Sequence, residues 1–281
     1  MNAWCRVPVI VRAVLTGLLV AVVVTYPWAY LVDLNTRHWT AVPWAVVPTA
    51  IWLAIWWRYI SGHGWPASTS SARRAALRAR NVSDDQWGSA LLAGILGLAA
   101  SLAILNLTNR WLPVPQESLS NSILSRIPAF TVIISTLMGS AVAGIVEEAS
   151  FRGYMQGAIE RRHGPVVAIG VTSVVFGLAH VGHAGLLAMM PFYVAVGTTY
   201  GLLAYFTGSI FPSMMLHAGS DALGGLTALA QGSSSSSVPV PSIPPERPMW
   251  GILAWLVVTA VAAAASYRAL AAGATRAPHH G

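Results

Sequence analysis

Apolar runs of about twenty residues recur along the chain near 13–32, 41–60, 88–107, 128–147, 165–182, 186–206, 210–230 and 250–272. A hydrocarbon core about 30 Å thick takes roughly twenty helical residues to cross. The eight runs therefore predict an all-α fold, a polytopic membrane bundle of about eight transmembrane helices. Composition removes the alternatives. Charged side chains make up 9% of the chain and hydrophobic ones 55%, whereas a soluble domain carries about 25% charged residues. A soluble globule of this composition could not cover its surface, and a disordered chain needs low hydrophobicity and high charge. Arg6 and Arg12 precede the first run as they would a signal peptide. The run is too long for one and no small-residue cleavage site follows, so it reads as a retained helix. The one cysteine, Cys5, excludes an intrachain disulfide and a thiolate zinc cluster.

All 16 basic residues are arginine, and their placement predicts orientation. Arg6, Arg12, Arg58, Arg73, Arg74, Arg78, Arg80, Arg152, Arg161, Arg162, Arg268 and Arg276 fall on one side of an eight-span bundle. Only Arg37, Arg110, Arg126 and Arg247 fall on the other. Basic loops stay in the cytoplasm, so this bias of 12 to 4 predicts cytoplasmic termini; the expected location is a cell membrane, of bacterial type. It also accounts for the net charge of +7 without a nucleic-acid partner; the expected surroundings are membrane lipid. Residues 61–87 are polar, with Asp84 and Asp85, and read as a surface helix plus a turn. Residues 231–249, rich in serine and then proline, read as a flexible external linker before a C-terminal helix at about 250–272. The whole, 1–281, reads as a single membrane domain with a catalytic core at about 128–230. Trp28, Trp39, Trp44, Trp56 and Trp57 stand at span ends as interfacial anchors.

Five ionisable residues sit inside apolar runs: Glu147, Glu148, His180, His217 and Asp221. Such side chains are costly in a membrane and mark functional sites by default. In Glu147-Glu148-Ala149-Ser150-Phe151-Arg152 the helical i, i+4 spacing puts Glu148 and Arg152 on one face as an ion pair. Glu147 then points elsewhere, free to meet another helix as a general base. His180 and His183 share an i, i+3 relation, and His217 and Asp221 an i, i+4 relation. In the latter pair the carboxylate could orient the imidazole, or both could hold a metal. Gly219, Gly224 and Gly225 would let a neighbouring helix approach closely. Glu147, His180, His217 and Asp221 suit zinc in type and number, yet no HExxH-like chelating pair is present, so a metal-free mechanism is equally open. Ser150, Ser173 and Ser220 lie in no nucleophile elbow.

Three motifs in order, EExxxR (Glu147, Glu148, Arg152), FxxxH (Phe176, His180) and HxxxD (His217, Asp221), resemble the CPBP family. That family includes the CAAX prenyl proteases and bacterial relatives tied to bacteriocin processing, immunity and abortive infection. The resemblance spans roughly residues 128–230. It implies an eight-helix-like bundle with a cavity open to the cytosol, and peptide-bond hydrolysis by a water that glutamate and histidine activate. By position, Glu147 would be the base, Glu148 with Arg152 the supporting pair, and His180 a holder of the water. His217 with Asp221 would stabilise the oxyanion or orient the site. The eukaryotic members usually carry asparagine where this chain has Asp221. An ionised aspartate would repel an oxyanion, so here it orients His217, stays protonated or ligates a metal. His183 is extra to the pattern.

The leading expectation is an intramembrane endopeptidase, of glutamate or metallo type, acting on a membrane-associated or CAAX-like peptide or protein. A catalytically silent immunity or scaffold protein of the same fold is the alternative. A proton-coupled transporter is a third, without the internal repeat such carriers show.

Overall fold

A computed structural model describes residues 6–112, 127–181, 185–230 and 248–274. Cys5, His183 and nearly all of the 231–249 linker lie outside them. Among the described residues the chain is helical and forms no strand. The helices are α1 (Val9–Arg37), α2 (Val46–Ile60), α3 (Ser70–Leu77), α4 (Asp84–Trp111) and α5 (Ala129–Glu147). A π-helical turn (Glu148–Gln156) leads on to α6 (Gly157–Ala179), α7 (Leu186–Thr207), α8 (Phe211–Ala230) and α9 (Met249–Ala274). Five helical stretches are long and apolar enough to cross a membrane, one of them the 51-residue stretch Ala129–Ala179. The chain is a multi-pass helical membrane protein. Its large apolar surface is what lipid contact requires: on α1, Leu15, Leu19 and Val22 are more than half exposed along one stripe.

The elements depart from the sequence reading at three places, each for a local reason. The fourth run does not end at Glu147; the helix continues through the π turn, and the break comes at Gly164. There φ is 79°, a left-handed value that glycine adopts freely, and Pro165 follows. Asp84 and Asp85 belong to the first turn of α4, where carboxylates favour the positive end of the helix dipole, and not to the preceding loop. The second run yields only 15 helical residues. Before them, Asn35 of α1 claims the loop: its Nδ2 donates to Val42 O (3.0 Å) and its Oδ1 accepts from Ala45 N (3.1 Å). Trp56, expected as an anchor, is buried in the core beside Leu53, Val142 and Val146.

Close helix packing through small residues places the site. Gly17 of α1 lies against Ser150 O and Met155 of the π turn. Gly94 and Gly97 of α4 admit Leu203 and Thr199 of α7. Gly144 of α5 meets Ala218 of α8, so a Cβ on Gly144 would stand 2.7 Å from the Ala218 Cβ. Gly225 makes a similar approach to Thr136, as its position suggested, whereas Gly219 faces open space.

The polar connection between α2 and α4 closes one end of the bundle. Arg73 is buried and gathers carbonyls of Tyr59, His63, Gly64 and Pro66 together with the Thr69 hydroxyl, its guanidinium 4.4 Å from the Tyr59 ring centre. Gly153 of the π turn rests on the Leu77 carbonyl. Arg78 grips Glu160 of α6 through hydrogen bonds of 2.6 and 3.1 Å, and Ser209 donates to the Arg80 carbonyl. The connection thus ties α6 to the α7–α8 turn.

Candidate active site

α5 and α8 cross at Gly144 and Ala218, and charged residues from the end of α5, the π turn and α8 gather beside the crossing. Glu148 is fully buried and uses one oxygen, Oε1, twice: it accepts from Arg152 Nη1 (2.8 Å) and from His217 Nδ1 (2.9 Å). The expected Glu148–Arg152 pair is therefore present. The contact of Glu148 with His217, across 69 residues of sequence, could not be read from spacing.

With Nδ1 held, His217 turns Nε2 to the other side. There Glu147 Oε2 lies 3.9 Å away and Asp221 Oδ2 lies 3.7 Å away. Glu147 does reach a different helix. The group that orients the His217 imidazole through Nδ1 is Glu148, and Asp221 faces Nε2. Glu147 and Asp221 are the accessible members of the cluster, with side chains 22% and 35% exposed, against 0% for Glu148 and 6% for His217. Glu147 Oε2 itself is buried, and the ion pair stands on the Nδ1 side of the ring.

Arg152 is buried in a box of rings. Its guanidinium carbon is 4.6 Å from the Phe176 centroid, 5.2 Å from that of Tyr200 and 5.8 Å from that of Phe151. Aromatic faces attract a cation more strongly when both are out of water. Nη2 donates to Gly197 O of α7 (3.3 Å).

His180 does not sit mid-helix. It caps α6, its backbone N–H pointing back to Gly177 and Leu178 carbonyls, and its Nδ1 donates to Phe176 O at 2.8 Å. With Nδ1 protonated, Nε2 carries the lone pair. The Phe176 ring touches both imidazoles edge-on, with centroids 4.9 Å from His180 and 6.0 Å from His217.

Two residues that the sequence reading passed over hold these rings. Tyr193 stacks on His180 (4.1 Å, 18°), and Tyr200 stacks on His217 (5.0 Å, 22°). The Tyr200 hydroxyl meets Ser220 Oγ at 3.2 Å, and Ser220 in turn donates to His217 O. Seven residues are close to two helical turns, so one face of α7 presents both rings. That i, i+7 pair of tyrosines was the available signal.

Among the described residues, no three of His, Cys, Asp or Glu stand together as a group that could hold a metal ion. Glu147, His180, His217 and Asp221, which suit zinc by type, do not form such a group.

Fold and cluster together define a multi-pass membrane protein with a buried glutamate–arginine–histidine site. Residues 129–223 match the family model described as type II CAAX prenyl endopeptidase Rce1-like, the group that the three motifs resemble. At the level of that family, the match supports an intramembrane endopeptidase, a hydrolase whose substrate is a peptide or protein. The match ends two residues past Asp221 and includes every motif residue. No curated protein and no solved structure matches the chain.

Proposed function

We propose that the chain cleaves a membrane-associated or CAAX-like peptide or protein by direct attack of a water that Glu147 activates. The observation that carries this reading is the convergence of Glu147 and Asp221 on His217 Nε2, while Glu148 and Arg152 fix the opposite side of the ring. Glu147 Oε2 takes a proton from water as the water oxygen bonds to the scissile carbonyl carbon. The carbonyl oxygen becomes an oxyanion, which His217 Nε2–H stabilises. Asp221 holds that N–H in line and supports the positive charge on the ring. Protonated Glu147 then returns its proton to the amide nitrogen as the C–N bond breaks and the carbonyl re-forms. His180, whose Nε2 carries the lone pair, is assigned to holding the water. The arginine bias supports a cytoplasmic opening.

Glu147→Gln keeps shape and hydrogen bonding but removes the base. It lowers cleavage of a membrane-anchored reporter peptide by about a hundredfold or more, the usual scale for general-base loss, with folded yield unchanged. If Glu147→Gln turned over normally while Glu148→Gln did not, the two carboxylates would exchange roles. Full biological effect without any cleavage in the wild type would favour a scaffold of the same fold.

A further inference from the structure

Glu148, Arg152, Gln156 and Glu160 follow one another at steps of four. In an α-helix each such step oversteps a turn by about 40°, so three steps would carry the row a third of the way round. The π turn Glu148–Gln156 is wound more widely, closed by i→i+5 bonds, and a step of four falls short of its turn. The opposite errors offset one another and keep the four side chains near one face. The row runs from the candidate active site to Arg78, which pairs with Glu160.

The first three members are buried at 0%, 1% and 0% exposure. Arg152 and Gln156 form parallel rungs to α7, Arg152 Nη2 donating to Gly197 O (3.3 Å) and Gln156 Nε2 donating to Gly201 O (3.0 Å). Yet each member keeps one buried polar atom that no protein group meets in hydrogen-bond geometry: Glu148 Oε2, Arg152 Nε and Gln156 Oε1; the Ser213 hydroxyl beside the Glu148 carboxylate donates to Ile210 O. A buried polar group left bare costs about 1–3 kcal/mol, and more when charged. Ordered water can complement such atoms, accepting from a guanidinium N–H and donating to a carboxylate or amide oxygen. Buried waters typically make about three such hydrogen bonds.

We propose that this row is a built hydration site, in which bound water joins the Glu148–Arg152 pair to Gln156 behind the reacting face. The water solvates Glu148 Oε2, so that Oε1 stays available to both Arg152 and His217 Nδ1. Gln156 is on this account a positioning residue, acting on His217 through water and Glu148. The effect on turnover rests on the proposed function; the hydration does not.

X-ray hydroxyl-radical labelling of the full chain in detergent tests it, because radicals made from bound water oxidise the side chains beside them. Phe151 is 2% exposed, and its ring centroid lies 5.8 Å from the Arg152 guanidinium. It should label in the wild type, and several-fold less in Gln156→Leu, with exposed Trp39 labelling equally in both. An unlabelled Phe151 in the wild type, or labelling indifferent to Gln156→Leu, overturns the proposal. A wild-type crystal structure at about 2 Å gives a second readout that does not depend on the variant folding. Water density within hydrogen-bond distance of Arg152 Nε and Gln156 Oε1 supports the site; direct contact between those atoms overturns it. Neither measurement needs a substrate, so a chain that labels as expected but cleaves nothing would sink the proposed function and leave the hydration site standing.

Discussion

One oxygen of Glu148 serves both Arg152 (2.8 Å) and His217 (2.9 Å), with all three side chains buried. The arginine and the histidine are therefore not independent features of the site. Each is positioned through the same carboxylate. Removing one leaves a charge, or an oriented ring, without its partner in the buried site.

Arg152→Ala strands the Glu148 carboxylate at 0% exposure. Breaking a buried pair this way costs about 3–5 kcal/mol, a large part of a typical stability of about 5–15 kcal/mol. The variant should lose most of its monodisperse folded fraction on size exclusion in detergent. Arg152→Lys should not restore it, because one ammonium cannot reproduce the planar fork that meets both Glu148 and Gly197 O.

Gly144 sets the distance between the glutamates and His217. A Cβ there would meet the Ala218 Cβ and N at 2.7 Å, so Gly144→Ala must push α5 and α8 apart. A displacement of about 1 Å at reacting groups can cost on the order of a hundredfold in rate. We expect that loss in kcat with a folded protein. Gly219→Ala, whose Cβ meets nothing within 4 Å, serves as the comparison and should change neither rate nor folding.

Tyr200 should act on the His217 ring through its face rather than its hydroxyl. Tyr200→Phe keeps the stack and should hold kcat within about twofold. Tyr200→Leu removes an aromatic contact worth about 0.5–1.5 kcal/mol, which corresponds to a two- to tenfold loss of rate. Equal losses in both variants would instead assign the role to the hydroxyl and Ser220.

The orientation can be checked without a substrate. A membrane-impermeant thiol reagent should label Cys5 in inverted vesicles and not in intact cells, since the arginine bias of 12 to 4 predicts a cytoplasmic N-terminus. Labelling of intact cells would overturn both that orientation and the cytosol-facing site.

The sequence by itself determined the membrane class, the positions of the apolar helices and the residues that gather in the site. It could do so because lipid enforces long apolar runs and penalises each stray charge, so Glu147, Glu148, His217 and Asp221 stand out by cost alone. It also determined the Glu148–Arg152 pair, since i, i+4 contacts are local. What depends on helices meeting was decided only by the tertiary structure. Glu148 rather than Asp221 holds His217 Nδ1 because Gly144 and Ala218 let α5 and α8 approach until residues 69 apart share a proton. The helix does not stop after Glu147, because nothing there is a breaker; Gly164 and Pro165 are. The stacking of Tyr193 on His180 and of Tyr200 on His217 likewise arises from packing between elements, and periodicity along one element does not name its neighbour.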